Sequence, residues 1–188
     1  MCSSDLAPHV WKYADSRPLL LEAGKLLTAE EAERRVLVLE NPSMPGGSRL
    51  TATMFAGLQM IMPGEIAPAH RHTAGALRMV LEGNGGYTAV AGEKTTMSRG
   101  DLVITPSMTW HDHGQEADKP CIWVDGLDMH MVNFHEAAFM DHFNAKTQIT
   151  SKPEGFAESE FGAGLAPMEE RRPFGKTDRK STRLNSSH

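Results

Sequence analysis

Three histidines in this sequence are spaced so that they could hold a metal ion. His70 and His72 form a His-x-His pair in the stretch Gly64–Gly83, and His111 lies in a second stretch, Gly100–Gln115. Successive side chains of a strand point to opposite faces, so a His-x-His pair on a strand directs both imidazoles to one side. An imidazole from a later strand would complete three nitrogen ligands and leave other coordination positions open. The spacing therefore predicts a metal centre, and imidazole suits iron, zinc, copper and nickel.

The two stretches follow the motif order of the cupins. The first has Gly, five residues and His-x-His, and the second has Gly, five residues, Pro and a later His. Two departures from the cupin pattern concern the ligands and the turn: Ala76 stands where a carboxylate is usual, and Met108 where a glycine is usual. Isolated histidines would be interpreted as packing or surface residues, but two coupled motifs with these spacings favour ligands. The predicted ligand set is three histidines without an acid.

Strand alternation also predicts a buried arginine near this centre. Ala76 occupies the inward position of the lost carboxylate, so Arg78, two residues later, should point inward as well. An unpaired buried charge is costly, so Arg78 needs an anion. A carboxylate on the substrate would suit the bidentate guanidinium. The alternative is a structural ion pair with an Asp or Glu of the core.

Further polar residues are candidates for the same cavity. His113 lies two residues after His111, so its side chain should point to the same face of the strand. It is predicted to make hydrogen bonds or transfer protons beside the metal rather than to bind it. Asp125 is predicted either to orient a histidine or accept a phenol proton, or else to be exposed. Gln59 and Arg34 are predicted to line the cavity. Arg35 competes with Arg34 because the start of their strand is uncertain by a residue or two.

Short strands separated by turn residues make up most of the predicted structure, which favours an all-β jelly roll. Strands are predicted at residues 34–41, 50–62, 74–82, 87–90, 94–97, 102–105, 109–113 and 121–127. A short helix is predicted at Thr28, with Glu31 as its capping-box partner, and a second over Asn133–Phe143. Before the first helix, the apolar residues of the N-terminal arm are expected to pack onto a neighbour or onto the outside of the barrel.

These elements predict one domain with extensions on both sides. Residues 1–33 form the arm with its short helix, 34–130 the cupin domain, and 131–178 a helix and linker. The last ten residues, RKSTRLNSSH (179–188), differ in composition from the rest and are predicted to be a non-native tail.

The composition indicates which binding partners and which cellular compartment to expect. With a net charge of −5, the sequence lacks the excess of basic residues that is typical of nucleic-acid-binding proteins. No apolar run reaches the length of a membrane span. The N-terminus lacks a signal-peptide pattern. Only two cysteines are present, which favours a reducing cytoplasm. Cys121 is predicted to be a small buried hydrophobic residue rather than a nucleophile.

Three phrases of the sequence carry a closer resemblance. The segments ERRVLVLENP, AGLQMIMPGEIAPAHRHTAGALRMVLEG and GDLVITPSMTWHDHG resemble the gentisate 1,2-dioxygenases and their salicylate and 1-hydroxy-2-naphthoate dioxygenase relatives. This resemblance implies a cupin fold, or double-stranded β-helix, and homotetramers of chains about twice this length. It also implies that this chain is the N-terminal cupin and lacks the second.

The resemblance also implies roles for the candidate residues. His70, His72 and His111 would bind Fe(II). Arg78 and the region of Arg34 would bind the substrate carboxylate, whereas the residues around the substrate hydroxyl groups would be Gln59, His113 and Asp125. The implied reaction is cleavage of gentisate by O2 between the carboxyl-bearing carbon and its ortho hydroxyl carbon, which gives maleylpyruvate.

Other functions remain open at this point. The preferred substrate could be salicylate or 1-hydroxy-2-naphthoate, which the sequence does not decide. The chain could also be a non-catalytic cupin that binds metal or a small ligand, or a cupin isomerase that uses zinc or manganese. The missing carboxylate ligand disfavours the isomerase.

Overall fold

The computed structural model of the protein describes residues 6–32 and 34–162. Ten strands and three helices follow one another in this part of the chain. The strands are β1 Val36–Val38, β2 Phe55–Ile61, β3 Ile66–His72, β4 Ala76–Glu82, β5 Asn84–Val90, β6 Glu93–Ser98, β7 Leu102–Thr105, β8 His111–Gln115, β9 Cys121–Leu127 and β10 Met140–His142. The helices are α1 Tyr13–Leu26, α2 Met129–Phe134 and α3 Phe156–Phe161.

The strands form two five-stranded sheets with antiparallel pairing throughout. The order is β1-β2-β9-β4-β7 in the first sheet and β10-β3-β8-β5-β6 in the second. Neighbouring strands in each sheet are mostly distant in sequence, so the register of the sheets brings the two histidine motifs together. The predicted all-β fold of two packed sheets is confirmed.

The core lies between the two sheets and receives side chains from both. Its buried members are Ile61, Ala67, Val80, Met97, Cys121 and Trp123. Cys121 is fully buried in this cluster, as predicted, and burial raises the pKa of its thiol to about 11. The inward positions of β9 continue from Cys121 through Trp123 to Asp125, so the apolar core is continuous with a group of buried polar side chains.

Helix α1 packs on the outer face of the first sheet. Leu20 contacts Leu58, Met60 and Ile122 in a second apolar cluster. At the end of β4, Glu82 accepts hydrogen bonds from Tyr13 and Arg17 of the helix. Of the two sites expected for the arm, the outside of the barrel is therefore the one it occupies.

The predicted helix at Thr28 is wrong, although its capping contacts form. Glu31 accepts hydrogen bonds from the backbone N–H and the hydroxyl of Thr28, but residues 29–32 make only a turn. The physical reason is Arg35, whose side chain binds the carbonyl of Leu27 and ion-pairs with Glu65 at 2.6 Å. This contact draws the chain directly from the turn into β1.

Two other predicted elements differ in extent. The predicted helix over Asn133–Phe143 is replaced by the end of α2 and by β10, because this segment pairs with the edge of β3. The strand predicted from Leu50 begins only at Phe55, since a tight turn joins the Leu50 N–H to the Met54 carbonyl. The part of the predicted linker after residue 162 and the predicted tail at 179–188 lie outside the described residues. None of the described helices is long and apolar enough to cross a membrane.

Candidate metal centre

The three predicted ligands lie together on two paired strands. His70 and His72 project from β3, and His111 projects from β8, where it stands opposite His70 in the register. The His70 and His111 rings are 4.2 Å apart between centroids. One ligand nitrogen from each of the three histidines lies within 4.8 Å of the others. The geometry is that of a site for a single ion.

Backbone carbonyls lie within hydrogen-bond distance of Nδ1 in all three imidazoles, and most closely in two of them. Nδ1 of His72 lies 2.7 Å from the Ala74 carbonyl, and Nδ1 of His111 lies 2.9 Å from the Thr109 carbonyl. A carbonyl only accepts, so Nδ1 carries the proton in both rings and Nε2 keeps its lone pair for a metal. Nε2 of His111 is buried and has no hydrogen-bond partner among the described residues. A metal ion would give this atom the partner it needs.

Burial keeps these histidines neutral. It lowers the pKa of His70 to about 3, with a further contribution from the nearby positive charge of Arg34. Burial also lowers the pKa of His72 and of His111. Neutral imidazoles are the form that binds metal. Ala76, in the usual place of the carboxylate, is buried and offers no ligand atom. Three neutral nitrogens fit iron, zinc, copper or nickel.

Arg34 is the arginine that faces the metal centre. Its Nη2 contacts the His70 ring, 2.9 Å from Nε2, and lies 3.3 Å from the Pro68 carbonyl. Arg35 points the other way, into its ion pair with Glu65. The structure therefore decides between two neighbours that the sequence left in competition. The choice follows from where β1 begins to pair with β2.

The partner of Arg78 in the structure is a carboxylate of the core, which is the alternative that the sequence left open. Arg78 on β4 lies opposite Asp125 on β9, and its Nε is 3.2 Å from Oδ1 of Asp125. The two atoms are close enough for an ion pair, but their angles are not those of a hydrogen bond. Thr105 accepts a hydrogen bond from Nη1 of Arg78, and Trp123 donates one to Asp125. Both charges are buried, so Asp125 is not the exposed residue of the other interpretation.

His113 and Gln59 are buried beside this pair. His113 is not one of the three clustered ligands, and its ring centroid is 5.8 Å from that of His111. Its Nδ1 lies 3.0 Å from the hydroxyl of Thr88. Burial lowers the pKa of His113 well below its usual value, so the ring is neutral. Thr88 and Thr105 could not be predicted from the sequence, because only the strand register shows that they stand beside His113 and Arg78.

An apolar cavity of about 310 Å³ adjoins the metal centre on the side of His72. Its other lining residues are Thr73, Ala74, Leu127, Met129, Val132, Asn133, Ala138, Phe139 and Met140. They come from the ends of β3 and β9, from α2 and from the start of β10. This cavity was not predicted from the sequence, because a single helix over residues 133–143 would not form it.

Acid is expected to destabilise the metal-free protein through the buried histidines. Their native pKa values are lowered, whereas an unfolded histidine titrates near 6.5. Below about pH 6.5 the unfolded chain therefore binds more protons, and the stability present above that pH is lost as the pH falls.

Urea unfolding at pH 7 and pH 5.5 measures this effect. Each extra proton taken up on unfolding should cost roughly 1.4 kcal/mol per pH unit. The exposed His142 provides a control, because His142→Asn should leave the pH dependence unchanged. A free energy of unfolding that does not change between the two pH values would contradict this prediction.

Comparison with known proteins identifies the fold family. A family model described as "Cupin domain" matches residues 57–127. This match confirms the predicted cupin fold over these residues. The match contains both histidine motifs, and the two-sheet architecture agrees with it.

Longer proteins show a closer likeness to this cupin chain. It is 49% identical over 166 residues to gentisate 1,2 dioxygenase 1 of Aquipseudomonas alcaligenes, covering 88% of this chain and 48% of the relative. It is 48% identical over 150 residues to gentisate 1,2-dioxygenase of Ralstonia sp., covering 79% of this chain and 41% of the relative. The chain thus spans about half the length of the curated relatives it matches.

A solved structure extends the likeness to three dimensions. Salicylate 1,2-dioxygenase from Pseudoaminobacter salicylatoxidans, in adducts with gentisate, is 36% identical and superposes with a TM-score of 0.77. The match covers 88% of this chain and 46% of that one. The predicted resemblance to the gentisate and salicylate dioxygenases is confirmed.

Proposed function

We propose that this chain is the metal-binding cupin of an Fe(II)-dependent dioxygenase that cleaves the ring of a hydroxylated aromatic acid, with gentisate as substrate. The observation that carries this proposal is the triad of neutral histidines, two buried and one half-buried, which offers three nitrogens and no carboxylate. The dioxygenase names of the similar proteins support the same reaction class. Gentisate and O2 would give maleylpyruvate. Both oxygen atoms enter the product, so the reaction needs no external reductant.

The charges around the triad support an anionic substrate. Arg34 contacts the His70 ring, and Arg78 lies close enough to contribute to the lowered pKa of His111, whereas Asp125 supplies one negative charge against them. The three histidine ligands are neutral, so the site has an excess of positive charge that a metal ion would increase. An aromatic carboxylate would balance that excess. The apolar cavity beside His72 gives the ring of such an acid an apolar surface nearby.

The side chains of this chain would bind and orient the substrate. Bound Fe(II) supplies a Lewis acid, a template for substrate and O2, and a path for electrons. Arg34 and Arg78 would bind the carboxylate and fix the ring for attack. Gln59 would donate a hydrogen bond to a hydroxyl group. His113 or Asp125 would accept the proton of the second hydroxyl group, which lies para to the ortho hydroxyl group on the ring.

The proposal extends to the assembly and the compartment. The resemblance supports a homo-oligomer, a tetramer in relatives of full length, in which this chain would be the first of two cupins. The two cysteines of the sequence support a reducing cytoplasm. The partners would be the aromatic acid and O2, with no nucleic acid or membrane.

Oxygen uptake tests the function. Fe(II)-loaded protein is mixed with gentisate, and in parallel with salicylate and 1-hydroxy-2-naphthoate, while an oxygen electrode records the dissolved O2. We expect uptake with gentisate and none with zinc-loaded protein. Uptake with only one of the other two acids would identify that acid as the substrate and leave the proposed reaction class unchanged. Full iron content without uptake with any acid, in this chain and in its full-length parent, would favour a non-catalytic cupin.

Arg34 is expected to contribute directly to substrate binding. Arg34→Gln removes one charge-assisted contact to the carboxylate, worth about 1.5–3 kcal/mol, so KM should rise roughly 10- to 100-fold. The iron content should stay at the wild-type level, because the three ligands are intact. The exposed Arg49 gives a matched control, since Arg49→Gln should leave KM unchanged. An unchanged KM for Arg34→Gln with full iron would remove Arg34 from the carboxylate site.

A further inference from the structure

The two ring nitrogens of His113 have different surroundings. His113 stands opposite Thr88 in the pairing of β8 with β5, and its Nδ1 lies 3.0 Å from the Thr88 hydroxyl. Its Nε2 is buried and has no hydrogen-bond partner among the described residues. Both residues are 0% exposed, so bulk water does not replace either contact. A neutral imidazole carries one proton, so the contact at Nδ1 decides whether Nε2 offers a proton or a lone pair.

Thr88 has a second contact that settles the direction of the first. Its hydroxyl lies 3.3 Å from the sulfur of Met97, on the neighbouring strand β6. A thioether sulfur accepts hydrogen bonds and never donates one, whereas the threonine hydroxyl has a single proton. If that proton goes to Met97, then Oγ1 of Thr88 must accept from Nδ1–H of His113. Both contacts are satisfied only in this order.

The reverse order is less favourable in this cavity. If Thr88 donated to His113, the Met97 sulfur would have no donor, although Met97 is fully buried in the core cluster. Nε2 of His113 would then carry the proton in a cavity that already holds the positive charges of Arg34 and Arg78. A lone pair facing these charges is electrostatically preferred to an N–H group. Hydrogen bonding and charge therefore favour the same tautomer.

We propose that Thr88 and Met97 hold His113 in the Nδ1–H tautomer, so that its Nε2 presents a lone pair to the substrate and accepts a hydrogen bond from a substrate hydroxyl group. Thr88 and Met97 are then positioning residues that act through His113. The tautomer follows from contacts within the chain alone. That Nε2 of His113 accepts a hydrogen bond from a phenolic hydroxyl group rests on the proposed function.

The tautomer can be measured without turnover. The protein is labelled with ¹⁵N-histidine and loaded with zinc, which is diamagnetic and suits imidazole ligands. The His113 signals are assigned by their absence in His113→Gln. We expect the ¹⁵N shift of a protonated nitrogen at Nδ1 and that of an unprotonated nitrogen at Nε2. A proton on Nε2 of the wild-type protein would overturn the proposal.

Three substitutions test the two positioning residues. Thr88→Val removes the acceptor and should move the proton to Nε2 in part or in full, whereas Thr88→Ser keeps the hydroxyl and should retain the wild-type shifts. Met97→Leu removes the sulfur, so the Thr88 proton becomes available to Nδ1 and the population should shift the same way. Wild-type shifts in both Thr88→Val and Met97→Leu would overturn the roles of Thr88 and Met97. If Thr88→Val fails to fold, Met97→Leu and Thr88→Ser still decide.

Kinetics connect the tautomer to the reaction. Loss of a partner that orients a functional histidine typically costs 10- to 100-fold, so kcat/KM for gentisate should fall by about that factor in Thr88→Val and recover in Thr88→Ser. A normal kcat/KM in Thr88→Val with a shifted tautomer would overturn the use of Nε2 toward substrate. If wild-type protein shows the predicted tautomer but cleaves no aromatic acid, the proposed function fails and the assignment of the tautomer stands.

Discussion

Replacing His111 with alanine is expected to abolish tight metal binding and, with it, oxygen uptake. His111 is the only one of the three ligands on β8, and its buried Nε2 has no hydrogen-bond partner among the described residues. Two imidazoles from one strand would remain, and they cannot close the same site. Loss of a group that only orients a ligand costs 10- to 100-fold in metal affinity, so loss of this ligand should cost at least about 100-fold. Metal content after dialysis and competition with a chelator measure the change.

His142 supplies the matched control for this substitution. It lies opposite His70 in the pairing of β10 with β3, yet its side chain is exposed. His142→Ala should therefore keep the metal and the uptake of oxygen. Wild-type metal affinity in His111→Ala, with a normally folded protein, would show that the metal binds elsewhere.

Replacing Asp125 with alanine is expected to cause the largest loss of stability among single substitutions in the cavity. Asp125 is the ion-pair partner of Arg78, and the two side chains are 6% and 4% exposed. Removal of one member leaves a buried charge without its counter-ion, which costs about 3–5 kcal/mol. For a chain of this size, that corresponds to a fall in Tm of roughly 6–20 °C. Chemical and thermal unfolding of the metal-free protein measure the effect.

Two further variants separate the burial of this pair from its charge. Asp141 pairs with Arg71 at 2.9 Å, but these side chains are 41% and 34% exposed, so Asp141→Ala should cost no more than about 1 kcal/mol. The double variant Arg78→Leu/Asp125→Leu removes both buried charges and should regain most of the stability that Asp125→Ala loses. A double variant as unstable as Asp125→Ala would mean that packing or hydrogen bonds, rather than the uncompensated charge, cause the loss.

Local alternation was sufficient to predict that His70 and His72 share a face, and to predict the direction of the neighbouring side chains. Within one strand, the parity of residues fixes which side chains share a face, so His72 follows from His70 and Arg78 follows from Ala76. The same alternation puts Asp125 on one face of β9 with Trp123, and both side chains are buried. These inferences need no knowledge of which strands are neighbours.

Contacts across strands could not be predicted in the same way. The pairing of Arg78 with Asp125 depends on the register between β4 and β9, and that of Thr88 with His113 on the register between β5 and β8. A shift of one residue in either register would separate each pair. The sequence could therefore state that Arg78 needs an anion, but it could not choose between a substrate and a core carboxylate.

Local signals failed where tertiary pairing was stronger. Thr28 and Glu31 make the capping contacts of a helix, but the ion pair between Arg35 and Glu65 draws the chain into a strand instead. At residues 140–142, the hydrogen bonds offered by the edge of β3 outweigh helix propensity. The formation of β10 in place of a helix also affects the surroundings of the site, because β10 supplies part of the apolar cavity beside His72.

The most direct test of the central claim is the molar ratio of O2 consumed to ring-cleavage product formed by Fe(II)-loaded protein given gentisate. An oxygen electrode and the absorbance of the product are followed in the same sample, in this chain and in its full-length parent. A dioxygenase reaction at the histidine triad predicts one O2 consumed for each product molecule formed. Both O2 consumption and product formation should be lost in His111→Ala and retained in His142→Ala. Oxygen consumption without ring-opened product, or a ratio unaffected by His111→Ala, would contradict the account.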